Sequence, residues 1–220
     1  MSVIRERLAT LKSSLPAGVT LLAVSKFHPV ETLQEAYDAG QRVFGENRVQ
    51  ELVAKQPLLP PDIEWHFIGT LQTNKVKHIA PFVHTIQSVD SLPLLKEIDR
   101  QAARCNRRIR VFLEIHIAEE TTKHGFSPED CRTLFREGLS AACPHVRVEG
   151  LMGMATYTDD MEQVRREFHT LRALFEELQP VAGASFGDLS MGMSNDYAIA
   201  VQEGSTIIRI GTLLFGEREY

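Results

Sequence analysis

A lysine at the end of an apolar run is the first residue whose position suggests chemistry. The run TLLAVSKF covers residues 20–27, and its alternation places Leu22, Val24 and Lys26 on one face of a strand. An apolar environment lowers the pKa of a lysine, which is what an amine that forms a Schiff base requires. The structural alternative is a lysine that extends its charged end into water.

An arginine inside a second apolar run is equally unusual. In TIIRIGTLL, residues 206–214, alternation places Arg209 and Gly211 on one face. A buried guanidinium needs acceptors. The alternatives are therefore a functional cation and a structural salt bridge to a carboxylate such as Glu46 or Glu114.

Two nearby segments could bind an anion. Ser194 is predicted to cap the helix that follows it, so that its hydroxyl and the first-turn amides face one point. Gly211 and Thr212 offer backbone N–H groups that no side chain screens. Asp196 would compete for the same donors, and an ordinary capped helix is the structural alternative.

Two further polar residues lie within or directly after strand-like runs. Asn47 and His66 could contact a bound ring or its substituents. Residues of these types are more often held by structural hydrogen bonds, which is the alternative in both cases.

Eight short β-rich runs, separated by amphipathic segments, must position these residues. The pattern predicts an α/β fold, a single (β/α)8 TIM-type barrel with an extra N-terminal helix at about residues 2–13. An open doubly wound sheet is the alternative, but no G-x-G-x-x-G follows the first run. Only GEREY follows the last run, so we expect residues 1–220 to form one domain. The runs cover residues 20–27, 42–46, 64–69, 83–89, 110–118, 146–155, 186–191 and 206–214.

Composition excludes several classes of protein. The chain of 220 residues has 24 Lys and Arg against 29 Asp and Glu, and the net charge of −5 disfavours nucleic-acid binding. Its 3 cysteines include no C-x-x-C pair, which indicates reduced thiols. No apolar run approaches the roughly 18 residues of a membrane span, and the start lacks an apolar signal core. We therefore expect a cytoplasmic protein with no nucleic-acid or membrane partner.

The barrel prediction brings the unusual residues to one place. Carboxyl ends of barrel strands meet at one mouth, so Lys26, Arg209 and the anion-binding segments would face each other there. This combination suits pyridoxal 5′-phosphate, which has an aldehyde for a lysine, a pyridine nitrogen for a donor and a phosphate for backbone amides.

At these residues the sequence resembles the pyridoxal phosphate homeostasis protein family, relatives of the alanine racemase N-terminal barrel. The resemblance runs from the N-terminal helix to the last few residues. Its ordered motifs are AVSK at 23–26, FGENRVQE at 44–51, WHFIGTLQTNK at 65–75, GLMGMA at 150–155, LSMGMSNDY at 189–197 and GSTIIRIGTLLFGER at 204–218.

The resemblance implies how the cofactor's ring would be held. Lys26 would form the Schiff base with the aldehyde. Arg209 would face the pyridine nitrogen, and Asn47 would lie near the ring.

It also implies a phosphate site made of Ser194 and the amides of Gly211 and Thr212. Lys123, in TTKHGF, matches a family lysine whose role stays open.

The arginine argues against catalysis. Arginine keeps its proton at accessible pH, so Arg209 could only donate to the pyridine nitrogen and would leave the ring a weak electron sink. Racemases of the related fold also use a tyrosine base, and Tyr157 is the one tyrosine here that we would test. The sequence therefore predicts a protein without catalytic residues that carries or buffers the cofactor for pyridoxal phosphate-dependent apoenzymes. Its net charge and the absence of an obvious extra apolar stripe favour a monomer. A small pyridoxal phosphate-dependent amino-acid racemase or lyase is the alternative.

A metal-dependent barrel hydrolase is a further rival. It would use His28, His66 and His116, but the chain has neither H-x-H at the end of the first run nor H-E-x-x-H. We therefore predict no metal site.

Overall fold

A closed barrel of parallel strands forms the centre of the molecule. The computed structural model describes residues 2–119 and 124–217. Neighbouring strands follow the chain order from β1 to β8, and β8 pairs with β1. The predicted (β/α)8 barrel is confirmed. The strands are β1 Thr20–Val24, β2 Val43–Glu46, β3 Glu64–Phe67, β4 Thr85–Val89, β5 Ile109–Ile115, β6 Val146–Gly153, β7 Asp188–Ser190 and β8 Ile207–Ile210.

Helices connect the strands on the outside of the barrel. The predicted N-terminal helix is present as α1, which buries Leu8 and Leu11 and packs against α2 and α10. Within the described residues, no helix has both the length and the apolar character that crossing a membrane requires. The helices are α1 Val3–Ser14, α2 Val30–Asp38, α3 Val49–Lys55, α4 Val76–Ile79, α5 Leu92–Arg104, α6 Pro128–Arg136, α7 Leu139–Ala142, α8 Met161–Ala182, α9 Tyr197–Gln202 and α10 Thr212–Phe215, with 3-10 turns at Gln56–Leu58 and Thr73–Lys75.

Apolar side chains form two separate layers. The larger lies between the barrel and the helices. The smaller consists of Leu22, Val24, Phe112, Met152 and Ile207, which alternate along their strands with members of the larger layer. Since successive side chains of a strand point to opposite faces, the smaller layer fills the barrel interior.

The strands β5, β6 and β7 meet closely at a bulge. Val111 pairs with Val148 but Phe112 pairs with Gly150, so Glu149 is an extra residue in β6. Beside the bulge, the backbone carbonyl of Asp188 occupies the space that a side chain on Gly150 would need. Glycine is therefore required at position 150 for β6 and β7 to pair.

We predict that Gly150→Ala lowers the free energy of unfolding by about 3 kcal/mol, because a Cβ there overlaps backbone atoms that cannot move away. Chemical denaturation monitored by circular dichroism measures this difference. Gly187→Ala is the matched control, since a Cβ at Gly187 meets no atom within 4 Å, and we expect a change below about 0.5 kcal/mol. Equal stability of the two variants would show that the close approach of β6 and β7 is not required.

Candidate functional site

Lys26 lies in the turn that directly follows β1. The strand ends at Val24, earlier than the sequence predicted, and the Lys26 side chain is half-buried. Val24 pairs with Gly45 of β2, so Lys26 and Asn47, each two residues further along, leave adjacent strands at the same level. A Cβ on Gly211 would lie 3.4 Å from the carbonyl oxygen of Val24, which brings the end of β8 to the same place.

The backbone on both sides of Lys26 is held by one pair of side chains on α3. Lys55 Nζ donates to the Ser25 carbonyl oxygen at 3.0 Å. Glu51 Oε2 accepts from the Phe27 amide at 2.8 Å and from Lys55 Nζ at 3.1 Å. Burial alone would raise the pKa of Glu51, but these two hydrogen bonds outweigh burial and hold that pKa below its ordinary value. We call Glu51 and Lys55 the α3 clamp, since together they fix the turn that carries Lys26.

A second carboxylate, that of Glu46, also binds the lysine of the α3 clamp. Glu46 is fully buried, and its Oε1 accepts from Lys55 Nζ and from Ser25 Oγ, both at 2.7 Å. Burial raises the pKa of Glu46, and the hydrogen bond from Lys55 offsets part of that rise. Lys55 itself is only 7% exposed. Each buried charge of the group therefore depends on its partner.

The turn also contains an unusual backbone conformation. Phe27 has a φ of 67°, in the left-handed region that non-glycine residues seldom adopt. The guanidinium of Arg48 lies over its ring, 4.7 Å from the centroid. Hydrogen bonds from the α3 clamp and this cation–π contact hold a conformation that costs free energy in isolation.

Arg209 lies inside the barrel, as its alternation with Ile207 predicted. It is 4% exposed, and its guanidinium donates to the Ser190 carbonyl at 2.9 Å, the Ser190 hydroxyl at 2.8 Å and the Gly153 carbonyl at 2.9 Å. The acceptors are thus neutral groups, in contrast to the salt bridge to Glu46 or Glu114 that the sequence left open. Burial lowers the pKa of Arg209 to about 10, against the opposing fields of Asp196 and Glu114. The side chain remains a cation at neutral pH.

A chain of buried hydrogen bonds continues from Arg209 across the barrel. Ser190 Oγ donates to Gln87 Oε1 at 2.7 Å, and Gln87 Nε2 donates to His66 Nδ1 at 2.7 Å. Burial, aided by His84 and Arg110, holds the pKa of His66 well below its ordinary value. His66 is therefore a neutral ring within the barrel and not a residue at the mouth near Lys26.

Asn47 retains an unused acceptor. Its backbone packs so closely against Gly69 that a Cβ there would lie 2.5 Å from Asn47 Cβ and 2.7 Å from Asn47 Cα. Within the described residues, the buried Oδ1 of Asn47 has no hydrogen-bond partner. A buried acceptor without a donor is unfavourable, so a ligand group that donates to it would be stabilised.

The predicted anion-binding segments lie after β7 and β8, but the capping prediction was wrong. Asp196, rather than Ser194, occupies the N-cap position of α9, and Ser194 lies in the preceding turn. Asp196 Oδ1 accepts from the Met193 amide at 2.5 Å, which uses one of the donors expected for an anion. Gly211 and Thr212 begin α10.

Glu114 is a further residue of the barrel interior with unusual acidity. It is 7% exposed on β5, and burial, with the nearby charge of Asp90, raises its pKa to about 7 although Arg209 opposes the rise. The sequence indicates Glu114 as a possible salt-bridge partner of Arg209 and does not predict its raised pKa. The signal that could have indicated its burial from the sequence is its position on the inward face of β5, two residues after Phe112.

The other residues named from the sequence are dispersed. His28 packs on the ring of Phe215, and His116 Nε2 lies 2.8 Å from the Ala118 carbonyl oxygen, so neither approaches His66. Tyr157 is 85% exposed. Lys123 lies outside the described residues.

Similarity to known proteins shows the class to which this chain belongs. The family described as alanine racemase, N-terminal domain, matches residues 1–219. PipY of Synechococcus elongatus PCC7942, solved without PLP, superposes with a TM-score of 0.92 at 42% identity, over 97% of this chain and 100% of that one. The same protein with PLP bound gives a TM-score of 0.88 at 41% identity and the same coverage. The chain is thus a barrel of the alanine racemase N-terminal class.

The sequence relatives narrow this class. The pyridoxal phosphate homeostasis protein of Aquifex aeolicus (strain VF5) is 46% identical over 201 residues, which cover 91% of this chain and 87% of that protein. This chain belongs to the pyridoxal phosphate homeostasis protein family, as the sequence motifs indicated.

We predict that Lys55→Met lowers the free energy of unfolding by about 3–5 kcal/mol, because it leaves the buried Glu46 carboxylate unpaired. Exposed Lys77, on α4, provides the control Lys77→Met, with an expected change below about 0.5 kcal/mol. The double variant Glu46→Gln/Lys55→Met should be more stable than Lys55→Met alone, since it removes the unpaired charge. A double variant of unchanged or lower stability would contradict the charge argument.

We also predict that Glu114→Gln stabilises the protein at high pH. Because the folded-state pKa of Glu114 is raised to about 7, ionisation of its carboxylate lowers the free energy of unfolding. The full loss applies above about pH 7, and it disappears as the pH falls towards the pKa of the carboxylate in the unfolded state. The variant should therefore be about 2–3 kcal/mol more stable than the wild type at pH 8, with the difference shrinking towards pH 5. Urea denaturation across this range measures it, with exposed Glu137→Gln as the control. A difference that does not change with pH would contradict the assigned pKa.

Proposed function

We propose that this chain binds pyridoxal 5′-phosphate at the carboxyl end of its barrel and carries or buffers it reversibly on Lys26, without converting amino acids. The observation that carries the proposal is the half-buried Lys26, held by the α3 clamp beside Asn47 and the end of β8. PipY, which shares 41% of its sequence with this chain, is described with PLP bound.

The residues at the mouth fit the cofactor. When bound, the cofactor supplies an aldehyde carbon to which an amine adds with loss of water, a bond that water can break again. Lys26 provides the amine, and Asn47 provides a buried acceptor that has no protein donor among the described residues. Arg209, a fixed donor deeper in the barrel, faces the pyridine nitrogen in this proposal.

For the phosphate we propose Ser194 and the backbone amides of Gly211 and Thr212. Support comes from their positions in the segments after β7 and β8, which barrels often use for phosphate. Because Asp196 already binds the Met193 amide, the Ser194 hydroxyl and the amides at 211 and 212 are the donors that we assign to the anion.

The proposed absence of catalysis has a physical basis in Arg209. With a pKa of about 10, its guanidinium stays protonated at neutral pH and cannot transfer a proton to the pyridine nitrogen. A catalytic racemase also needs a base opposite the lysine. Tyr157, the candidate from the sequence, is 85% exposed, which does not suit a positioned base.

The proposal extends to the protein's partners and surroundings. We propose that pyridoxal phosphate-dependent apoenzymes receive the cofactor, that the carrier acts as a monomer, and that it works in the cytoplasm. The buried free thiols of Cys131 and Cys143 suit a reducing compartment. Cofactor release slower than the turnover of the protein itself would refute the carrier role.

We predict that wild-type protein mixed with pyridoxal 5′-phosphate gains a visible absorption band of the lysine-bound cofactor, and that Lys26→Ala abolishes it. The physical reason is that Lys26 provides the amine that bonds to the aldehyde in the proposed site. Lys77→Ala, which removes an exposed lysine on α4, serves as the control and should keep the band.

The same samples distinguish the carrier from the alternative enzyme. Incubation with alanine and other amino acids should give no racemisation or decarboxylation above the level of free cofactor. Turnover that disappears in Lys26→Ala would favour the racemase or lyase alternative. A wild type that gains no band would overturn the assignment of the cofactor site.

A further inference from the structure

Three metal-ligating side chains meet at the end of the barrel opposite Lys26. Glu64 begins β3, His66 follows two residues later on the same face, and His84 directly precedes β4. One nitrogen or oxygen atom from each lies within 4.8 Å of those from the other two. Strand β3 thus supplies two of the groups and the start of β4 the third.

The strongest sign of a ligand is an unpaired atom on the deepest of these residues. His66 is 1% exposed, and its Nε2 atom is buried without a hydrogen-bond partner in the described part of the chain. Its other ring nitrogen is engaged by Gln87. A buried polar nitrogen without a partner is unfavourable, so a group that binds Nε2 would stabilise the fold.

We propose that Glu64, His66 and His84 bind a divalent transition-metal ion, for which Zn²⁺ is the best match. Two imidazoles and one carboxylate form a typical set of three protein ligands for zinc, with a fourth position left to water. This site would be separate from the cofactor site at the opposite end and does not depend on pyridoxal phosphate.

The geometry is close to what a metal needs. His84 Nε2 and Glu64 Oε2 lie 3.9 Å apart, compared with about 3.4 Å for two ligands of a tetrahedral zinc ion with bonds near 2.1 Å. The rings of His66 and His84 are nearly parallel, at 11°, with centroids 5.5 Å apart. His84, which is half-buried, must rotate so that its lone pair converges with that of His66 on the metal.

The neighbouring amide supplies the outer hydrogen bond that a ligating histidine requires. Metal binding through Nε2 places the ring proton of His66 on Nδ1, and that proton needs an acceptor. A half-turn of the Gln87 amide presents Oε1 to Nδ1 and the amide nitrogen to Ser190 Oγ, which in the metal-bound state would accept from both Gln87 and Arg209 and turn its own proton to another acceptor. The heavy atoms already lie at hydrogen-bond distance, 2.7 Å on each side.

Nearby charges favour a metal bound through imidazole over a hard cation. Arg110 acts electrostatically on both histidines, but it is ion-paired with Glu149 at 2.6 Å and with Asp188. With the charge of Arg110 balanced by these carboxylates, the ligand types decide the metal: two imidazoles and a single carboxylate make the site poor for Mg²⁺ or Ca²⁺, which prefer oxygen ligands.

Equilibrium dialysis of the full-length, tag-free protein against Zn²⁺, with bound metal measured by elemental analysis, tests the proposal. We expect about one ion per wild-type chain and at least a tenfold weaker affinity in both His84→Gln and Glu64→Gln. These substitutions alter accessible residues and should leave the fold intact. The control is His169→Gln, because His169 Nδ1 lies 3.3 Å from Glu203 Oε2 on the exposed face of α8 and no third ligand joins this pair among the described residues.

Zinc should also raise the melting temperature of the wild type and of His169→Gln, but not that of His84→Gln. Lys26→Ala should bind zinc like the wild type, so loss of the cofactor site and loss of the metal site are distinguishable. No binding at micromolar zinc would overturn the proposal. So would binding that survives in His84→Gln and Glu64→Gln, since the metal would then be held by other surface residues.

Discussion

The burial of the Arg209 guanidinium inside the barrel determines which polar groups the neighbouring strands must provide. A cation removed from water must be surrounded by acceptors, and the barrel supplies Ser190 from β7 and the Gly153 carbonyl from β6. Ser190 in turn needs an acceptor for its own proton, which Gln87 of β4 provides. One buried charge therefore explains the polar side chains of Ser190 on β7 and Gln87 on β4.

Lys26 is supported by a separate group of charges on the outside of the barrel. Lys55, Glu46 and Glu51 form that group, and no residue is shared with the hydrogen bonds of Arg209. The turn that carries the amine and the cation deeper in the barrel are thus fixed independently. A substitution in the α3 clamp can therefore alter the position of Lys26 without disturbing Arg209. The contributions of Lys26 and Arg209 to the proposed ligand binding can thus be measured separately.

Short-range patterns in the sequence predicted the strands and helices well, but they predicted the long-range contacts between them poorly. Alternation placed Arg209 inside the barrel, and each of the eight predicted β-rich runs contains one of the eight strands or most of it. The predicted β1 and β5 runs extended beyond the observed strands, because residue types alone do not show where pairing with the neighbouring strand ends. The β8 run, by contrast, continued into a helix, α10.

The α3 clamp shows what local rules cannot provide. In the sequence, Glu51 and Lys55 have the spacing of an ordinary helix-surface ion pair. Lys55 reaches the Ser25 carbonyl, 30 residues earlier, only because the closed barrel brings α3 against the β1 turn. Ser194 failed as a cap for a local reason, since Asp196 binds the Met193 amide and the helix begins later.

A carrier must remain folded both with and without its cargo, and the distribution of hydrogen bonds suits this requirement. Arg209 and Lys55 each make three hydrogen bonds within the protein, so neither becomes an unpaired buried charge when a ligand leaves. Near the mouth, Asn47 Oδ1 and Glu46 Oε2 are buried side-chain oxygens that lack a partner in the described residues. The buried cations of Arg209 and Lys55, by contrast, need no ligand to compensate them. In the proposed carrier role, this arrangement would permit exchange of the cofactor.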